Sequence, residues 1–248
     1  MEIYENRYQI GSMEVDNQGH CRPSALQGFL QEAAVAAAEC SGFGRETFLS
    51  RYGAVWVVVR AMFRLDRPLR WQEELTLQTW HRGSRGAVMY RDFDLLVDGK
   101  QVGEAVSAWV LMHLDTEKLE KLSRFSELSR NFGESRCKGI TLSKIRPTAD
   151  PVFLEKRSLR YSDTDMNGHV NNTRYADFAC DALRLDRREE GSFVSRLQVG
   201  YLNQCWPGEE LSLYGAGTGE DSFVVGKDQE GKDRFEAILT LDKGPSVK

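Results

Sequence analysis

Within seven residues the chain gathers Asp163, Asp165, Asn167 and His169, inside the stretch YSDTDMNGHVNNTRYADFACDALRL that runs from Tyr161 to Leu185. An imidazole titrates near neutrality, a carboxylate can orient it, and an amide can donate to an oxygen that is gaining charge. Attack on a carbonyl is the chemistry such a set supports. The same residue types also make ordinary turns and helix caps. Taken alone, the residues leave both readings open.

What must position them is the helix that follows. Tyr175, Phe178, Ala179, Ala182 and Leu183 recur at helical spacing, which predicts an amphipathic helix over Thr173–Leu185 with one buried face. Asn172 or Thr173 is the expected N-cap. The polar loop therefore ends at the helix terminus whose dipole favours developing negative charge.

An earlier part of the chain carries the same plan. Ile3–Val15 suits an opening strand, Asp16–His20 a loop, and a helix follows from about Ala25 with Leu26, Phe29, Leu30, Ala33 and Ala37 at helical spacing. Ala33–Ala38 is apolar all round, which predicts a helix enclosed on most sides, and Gly42 and Gly44 end it. Strand patterns then cover Ala54–Leu65, Leu75–His81 and Val88–Val97, with Asp98-Gly99 as a tight turn into Val102–Leu114. Residues 115–150 are charged and lack a long apolar run, as expected of a connector with some helix. Beyond it come a strand at Phe153–Tyr161, the loop and helix already described, and strands at Ser192–Tyr201, Glu210–Tyr214, Ser222–Lys227 and Arg234–Leu241.

The two halves share words in the same order. Asp16-x-x-Gly19-His20 matches Asp165-x-x-Gly168-His169, and Glu73-Glu74-Leu75-Thr76-Leu77 matches Glu209-Glu210-Leu211-Ser212-Leu213. That pattern argues for an internal duplication. A strand, a long helix and four antiparallel strands curling round it describe a hot-dog unit. The expected fold is therefore α+β, a double hot-dog: an N-terminal unit over 1–114, a connector over 115–150 and a C-terminal unit over 151–248.

Bulk properties narrow the function. With 41% hydrophobic and 28% charged residues over 248 positions, the chain can bury a sizeable core. A net charge of −4 argues against nucleic acid as the main partner. No secretory signal stands at Met1–Glu5, and no run approaches the roughly 20 apolar residues of a membrane span. Cys21, Cys40, Cys137, Cys180 and Cys205 are scattered without a CxxC pair, which suits reduced thiols in a cytoplasmic protein and argues against a zinc site.

Three segments resemble the acyl-acyl-carrier-protein thioesterases of plastids and bacteria. The family's loop Asp-x-Asn-x-His-Val-Asn-Asn stands here as Asp165-Met166-Asn167-Gly168-His169-Val170-Asn171-Asn172. Its Glu-Cys pair corresponds to Gln204-Cys205 within Tyr201-Leu202-Asn203-Gln204-Cys205, and Ala108-Trp109-Val110-Leu111-Met112 is similar to a further family segment. The resemblance implies hydrolysis of the thioester that joins a fatty acyl chain to acyl carrier protein, without metal or cofactor. It implies that Asp165, Asn167, His169, Gln204 and Cys205 form the catalytic set. Position 204 departs from the family pattern: an amide cannot act as a general base, so the site needs another route.

Residue chemistry assigns the remaining roles. His169 is the natural base, Asn167 a donor to the carbonyl oxygen, and Asp165 an orienting carboxylate. Cys205 is a possible nucleophile with His169 and Asn167, but no neighbour in sequence lowers a thiol pKa there, so attack by water is preferred. Gln204 then holds the water or the carbonyl. His20 reads as a structural relic of the duplicated site, because Pro68 or Leu69 stands where the second half has Gln204-Cys205. The catalytic site thus falls to the C-terminal unit, and the N-terminal unit shapes the acyl pocket.

Trp56, Trp71, Trp80, Trp109 and Trp206 are expected mostly in core packing, His81 and His113 in structural roles, and Cys180 in the helix core. An acidic carrier calls for a basic face. Arg184, Arg187 and Arg188 form one candidate and Arg64, Arg67 and Arg70 another, with plain solvated charge preferred slightly for each. Alternatives of other classes are an acyl-CoA thioesterase, a hot-dog hydratase, and a non-catalytic acyl-thioester binding module. A fused double unit is compatible with either a monomer or a homodimer.

Overall fold

β-Branched and aromatic runs become strands and 3.6-periodic runs become helices in a computed structural model, which describes residues 3–125, 140–147, 149–218 and 220–244. Residues 126–139 of the expected connector, with Cys137, lie outside the described residues. So does Thr148. Two compact units are formed. One comprises Met1–Ile10, Gly28–Arg64 and Gln72–Leu142; the other comprises Gly11–Gln27, Leu65–Trp71 and Ser143–Lys248.

In the first unit, β1 (Tyr4–Gln9), β2 (Ala54–Leu65), β3 (Glu74–Arg85), β4 (Val88–Val97) and β5 (Lys100–His113) lie in the order β1-β3-β4-β5-β2. The pairs β1–β3, β3–β4 and β4–β5 are antiparallel. Alternation sends Leu75 and Leu77 of β3 and Phe93 and Leu95 of β4 to one face, where each is 0–1% exposed. Helix α1 (Pro23–Cys40) enters this unit from Gly28 onward, and Phe29 meets Tyr8 of β1 at 5.0 Å between ring centroids. The buried stripe is Leu30, Ala33, Ala34 and Ala37, whereas Val35 is 45% exposed. The alanine run is thus an ordinary one-faced helix surface, not an enclosed one. A short helix α2 (Arg45–Tyr52), unanticipated because only Phe48 of its eight residues is buried, clusters with Ala54, Leu111, Leu122 and Phe125.

In the second unit, β6 (Val152–Ser158), β7 (Ser192–Tyr201), β8 (Glu210–Thr218), β9 (Asp221–Lys227) and β10 (Asp233–Lys243) lie in the order β6-β8-β9-β10-β7. That is the order of the first unit with every index raised by five. Helix α3 (Arg174–Ala182) lays Tyr175 and Phe178 on Phe235 of β10, at centroid distances of 5.0 and 6.4 Å. Phe178 and Phe235 are each fully buried, worth about 2–3 kcal/mol apiece by apolar area. The helix stops three residues short of Leu185 because Arg184 adopts a left-handed φ of 55° and a 3-10 turn over Leu185–Arg187 follows. β8 continues past Tyr214 to Thr218, since Gly215, Ala216 and Gly217 pair with β9 despite their low strand propensity. The fold is α+β, a double hot-dog, as the periodicities predict.

Candidate active site

Hydrogen bonds shape the loop before α3. Asp165 N–H donates to His169 O at 3.0 Å, Gly168 N–H to Asp165 O at 3.0 Å, and Asn167 N–H to Asp165 Oδ1 at 2.8 Å. Gly168 sits at φ +81°, a left-handed position that a side chain would strain. The first-half loop repeats this pattern: Asp16 N–H to His20 O at 2.9 Å, Gly19 N–H to Asp16 O at 3.0 Å, Gln18 N–H to Asp16 Oδ1 at 2.8 Å, and Gly19 at φ +72°. Val170 N–H donates to Cys205 O at 2.9 Å just as Cys21 N–H donates to Leu69 O at 2.8 Å. Leu69 therefore matches Cys205, and Pro68 matches Gln204. The duplication extends to single hydrogen bonds.

The second loop is anchored from below by Asp163, which is 4% exposed. Its carboxylate accepts from Arg160 N–H at 2.9 Å and from Arg174 Nε and Nη2 at 3.3 Å each, with Arg157 at 4.0 Å. Its backbone carbonyl takes Asn171 N–H at 2.8 Å. Asn171 Oδ1 in turn accepts Thr173 N–H and Oγ1–H, both at 2.9 Å. Asn171 thus makes the turn into α3, whereas Thr173, at the N-cap position, makes no side-chain cap bond.

These contacts present His169 with its side chain 17% exposed. Its Nδ1 lies 3.2 Å from Val170 O and 3.8 Å from Asp165 Oδ1. Both neighbours are acceptors, so the ring proton belongs on Nδ1 and the lone pair on Nε2. That tautomer is a base. At 3.8 Å the Asp165 carboxylate is beyond a direct hydrogen bond but remains the acidic neighbour of the ring.

Cys205 is different. It is fully buried, burial pushes its thiol pKa up, and the Tyr175 hydroxyl donates to Sγ, lowering it in part. The Tyr175 hydroxyl is itself held protonated by burial and by Cys205. A buried thiol with a raised pKa is a poor nucleophile.

Gln204 is exposed, and its carbonyl accepts the Arg234 guanidinium. Arg234 also binds Asp228 Oδ2 at 2.9 Å, while its own carbonyl takes Leu202 N–H and Asn203 N–H at 3.0 Å each. Asn167 is exposed at the loop tip. The structure therefore brings His169, Asp165 and Cys205 together through the hydrogen bonds of the loop, with Asn167 and Gln204 on the solvent side. Arg234, 65 residues from His169 in sequence, had no signal by which to be found. Asp163 stood within the stretch, but its anchoring role depends on its pairing with Arg174 inside the stretch and Arg157 before it, which residue types alone do not show.

His20 is 5% exposed, and burial lowers its pKa, with Arg70 and Arg188 adding to the effect against Asp16. Asp16 Oδ2 binds Arg188 Nη2 at 2.8 Å, and Arg188 also reaches Leu185 O and Ser192 O. Arg188, with its side chain 5% exposed, is thus a structural arginine and not part of a basic face. Arg184 pairs with Asp186 through two contacts of 3.1 Å. The core expectation holds for Trp80 at 1% exposure, but Trp71 and Trp206 are 54% and 45% exposed. Trp206 stands edge-on to the His169 ring at 5.9 Å between centroids.

Residues 1–125 match the model of the acyl-ACP thioesterase N-terminal domain, and residues 149–242 that of the C-terminal domain. The chain belongs to the acyl-ACP thioesterase family. Relatives within it include the chloroplastic palmitoyl-acyl carrier protein thioesterase of Gossypium hirsutum, 26% identical over 99% of this chain and 62% of that protein. The chloroplastic oleoyl-acyl carrier protein thioesterase 1 of Arabidopsis thaliana is 25% identical over 73% of this chain and 54% of its own length. The chain thus spans about half to three fifths of the length of the curated relatives it matches. Among solved structures, an acyl-ACP thioesterase from Bacteroides thetaiotaomicron superposes with a TM-score of 0.87 at 26% identity, covering 97% of this chain and 98% of that one. The 12:0-ACP thioesterase of Umbellularia californica shares the fold at a TM-score of 0.83 and 21% identity, covering 97% of each.

Proposed function

We propose that this chain hydrolyses fatty acyl-acyl-carrier-protein thioesters to free fatty acid and carrier. The observation that supports it most is the 3.2 Å contact of His169 Nδ1 with the Val170 carbonyl, which directs the ring's lone pair to Nε2 beside the loop carboxylate. His169 Nε2 takes a proton from water as the oxygen adds to the thioester carbonyl. The side-chain amides of Asn167 and Gln204 serve the developing oxyanion or hold the water. Collapse of the tetrahedral species breaks the C–S bond, and His169 returns the proton to the leaving thiolate. Asp165 stabilises the intermediate imidazolium, and Cys205 supports the loop through its carbonyl.

In this reading an N-terminal hot-dog over 1–114 shapes the acyl pocket, 115–150 connects, and 151–248 carries the catalysis. The partner is acyl carrier protein, engaged by a monomer or a homodimer. A cytoplasmic setting fits reduced thiols at Cys40, Cys180 and Cys205. Among the described residues no helix is long and apolar enough to cross a membrane.

The test compares kcat/KM for acyl-carrier and acyl-CoA substrates of one chain length. Preference for the carrier supports the proposal, and preference for CoA moves the activity to acyl-CoA hydrolysis. Tight binding with no turnover makes the protein a binding module.

A further inference from the structure

The residue after Cys205 distinguishes the two repeats. Since Leu69 matches Cys205, Arg70 matches Trp206. Arg70 bridges to the buried His20 and disfavours its protonation. Trp206 instead stands beside the partly open His169. Its backbone is fixed by a turn over Trp206-Pro207-Gly208-Glu209: Glu209 N–H donates to Trp206 O at 3.2 Å, Trp206 N–H donates to Glu209 Oε2 at 3.0 Å, and Gly208 has φ +93°. Proline and glycine suit the second and third positions of such a turn. The turn fixes the point from which the indole projects, and the ring's edge-on contact with His169 sets its place beside the loop.

An indole 45% exposed in this position is costly to leave in water and makes a ready contact surface. Among the described residues no hydrogen bond uses its Nε1–H. Leu202, 43% exposed, lies on the same strand-end segment, and Met166, 88% exposed, is carried by the His169 loop. An acyl chain is apolar throughout and must be buried, so a half-solvated rim does not suit it. The arm carrying the thiol is another matter: methylenes alternate with amides, and it runs from the thioester out to a carrier in solvent.

We propose that Trp206 is the platform on which the pantetheine arm of the thioester lies, with the indole Nε1–H available to an arm amide carbonyl. This deepens the thioesterase reading and rests on it for the site, but it concerns arm recognition and not the acyl group. The arm is common to acyl carrier protein and coenzyme A, so Trp206 serves both, and preference between them comes from elsewhere.

The experiment measures kcat and KM with octanoyl-carrier protein, octanoyl-CoA and octanoyl S-ethyl thioester, for wild type, Trp206→Ala and Trp206→Phe. Loss of the platform should raise KM about ten-fold for the two arm-bearing substrates, because only part of the contact area converts to affinity. The S-ethyl thioester should be unaffected, Trp206→Phe should recover most of the loss, and the pH–rate midpoint should stay in place. An equal loss on all three substrates, or a displaced pH–rate midpoint, overturns the proposal and leaves Trp206 as a support for the His169 ring. Calorimetry with non-hydrolysable S-octyl-CoA reads the contact without turnover. A ten-fold weaker Kd in Trp206→Ala supports the platform even if wild type proves inactive, which would defeat only the hydrolase reading. An unchanged Kd overturns the platform while leaving hydrolysis standing.

Discussion

Lowering the pH from 7 to 4 should remove about 3 kcal/mol of stability through one side chain, His81. His81 on β3 pairs in register with Arg91 on β4, on the row that includes the buried Thr79 and Phe93 two residues away. Burial, and then the neighbouring Arg91 guanidinium, push the His81 pKa from 6.5 down to about 4. Burial also lowers Arg91 to about 10, so Arg91 stays cationic throughout and keeps opposing a second charge. In the unfolded chain His81 takes up its proton near pH 6.5; in the folded chain it does so only near 4. Its stabilising effect is therefore complete above 6.5, falls away between 6.5 and about 4, and is constant below. The full gap corresponds to about 3.5 kcal/mol at about 1.4 kcal/mol per pH unit, of which about 3 kcal/mol is lost by pH 4, where the folded side chain is half protonated. Urea unfolding of wild type and His81→Gln at pH 7, 5.5 and 4 isolates this side chain from the carboxylates and His20. The stability difference between the two proteins should shift by about 3 kcal/mol in favour of the variant across that range. Parallel pH dependences would refute the reasoning.

Asp163→Asn should cost about 3 kcal/mol in urea unfolding and lower kcat/KM, because Arg157 and Arg174 lose the buried carboxylate that holds the loop. A cost under about 0.5 kcal/mol, the range of ordinary surface changes, would show that the anchor is dispensable. Cys205→Ala should keep activity within about ten-fold while losing about 1–3 kcal/mol of stability, since the Tyr175 hydroxyl loses its acceptor. Mass spectrometry of quenched wild type should find no acylated Cys205, and finding it would make the thiol the nucleophile. Gln204→Glu should raise the relative rate below pH 6, where a carboxylate base remains ionised and an imidazole base is lost to protonation. An unchanged pH–rate profile would place side chain 204 outside the proton-transfer path.

Local signals made the scaffold legible. The strands Ala54–Leu65, Val88–Val97 and Ser192–Tyr201 fall where β-branched and aromatic runs placed them, and the repeated Asp-x-x-Gly-His words become repeated hydrogen-bond patterns. Helix α2 was hidden because eight residues with one buried side chain give no periodic stripe. The enclosed reading of α1 failed because alanine is compatible with either face of a helix, and exposure of Val35 is set by tertiary packing. Within the site, the motif revealed His169 and Asp165 because turn chemistry and catalytic chemistry use adjacent residues. Arg234 was not legible, since its contact to Gln204 is made from a strand thirty residues on. Arg157, although only six residues before Asp163, lies on a strand whose side-chain directions the loop motif does not reveal. Trp206 was misassigned to the core because residue type alone cannot tell a packed indole from one displayed on a turn.

The most direct test is free-thiol and free-fatty-acid release from acyl-acyl-carrier-protein substrates by wild type and His169→Ala, with folding of both checked by urea unfolding. Wild type should release thiol and acid in equal amounts, and the variant should lose about 100-fold or more in kcat, the scale of a missing general base. Full activity in His169→Ala would contradict the site, and no release by wild type from any acyl chain would contradict the hydrolase itself.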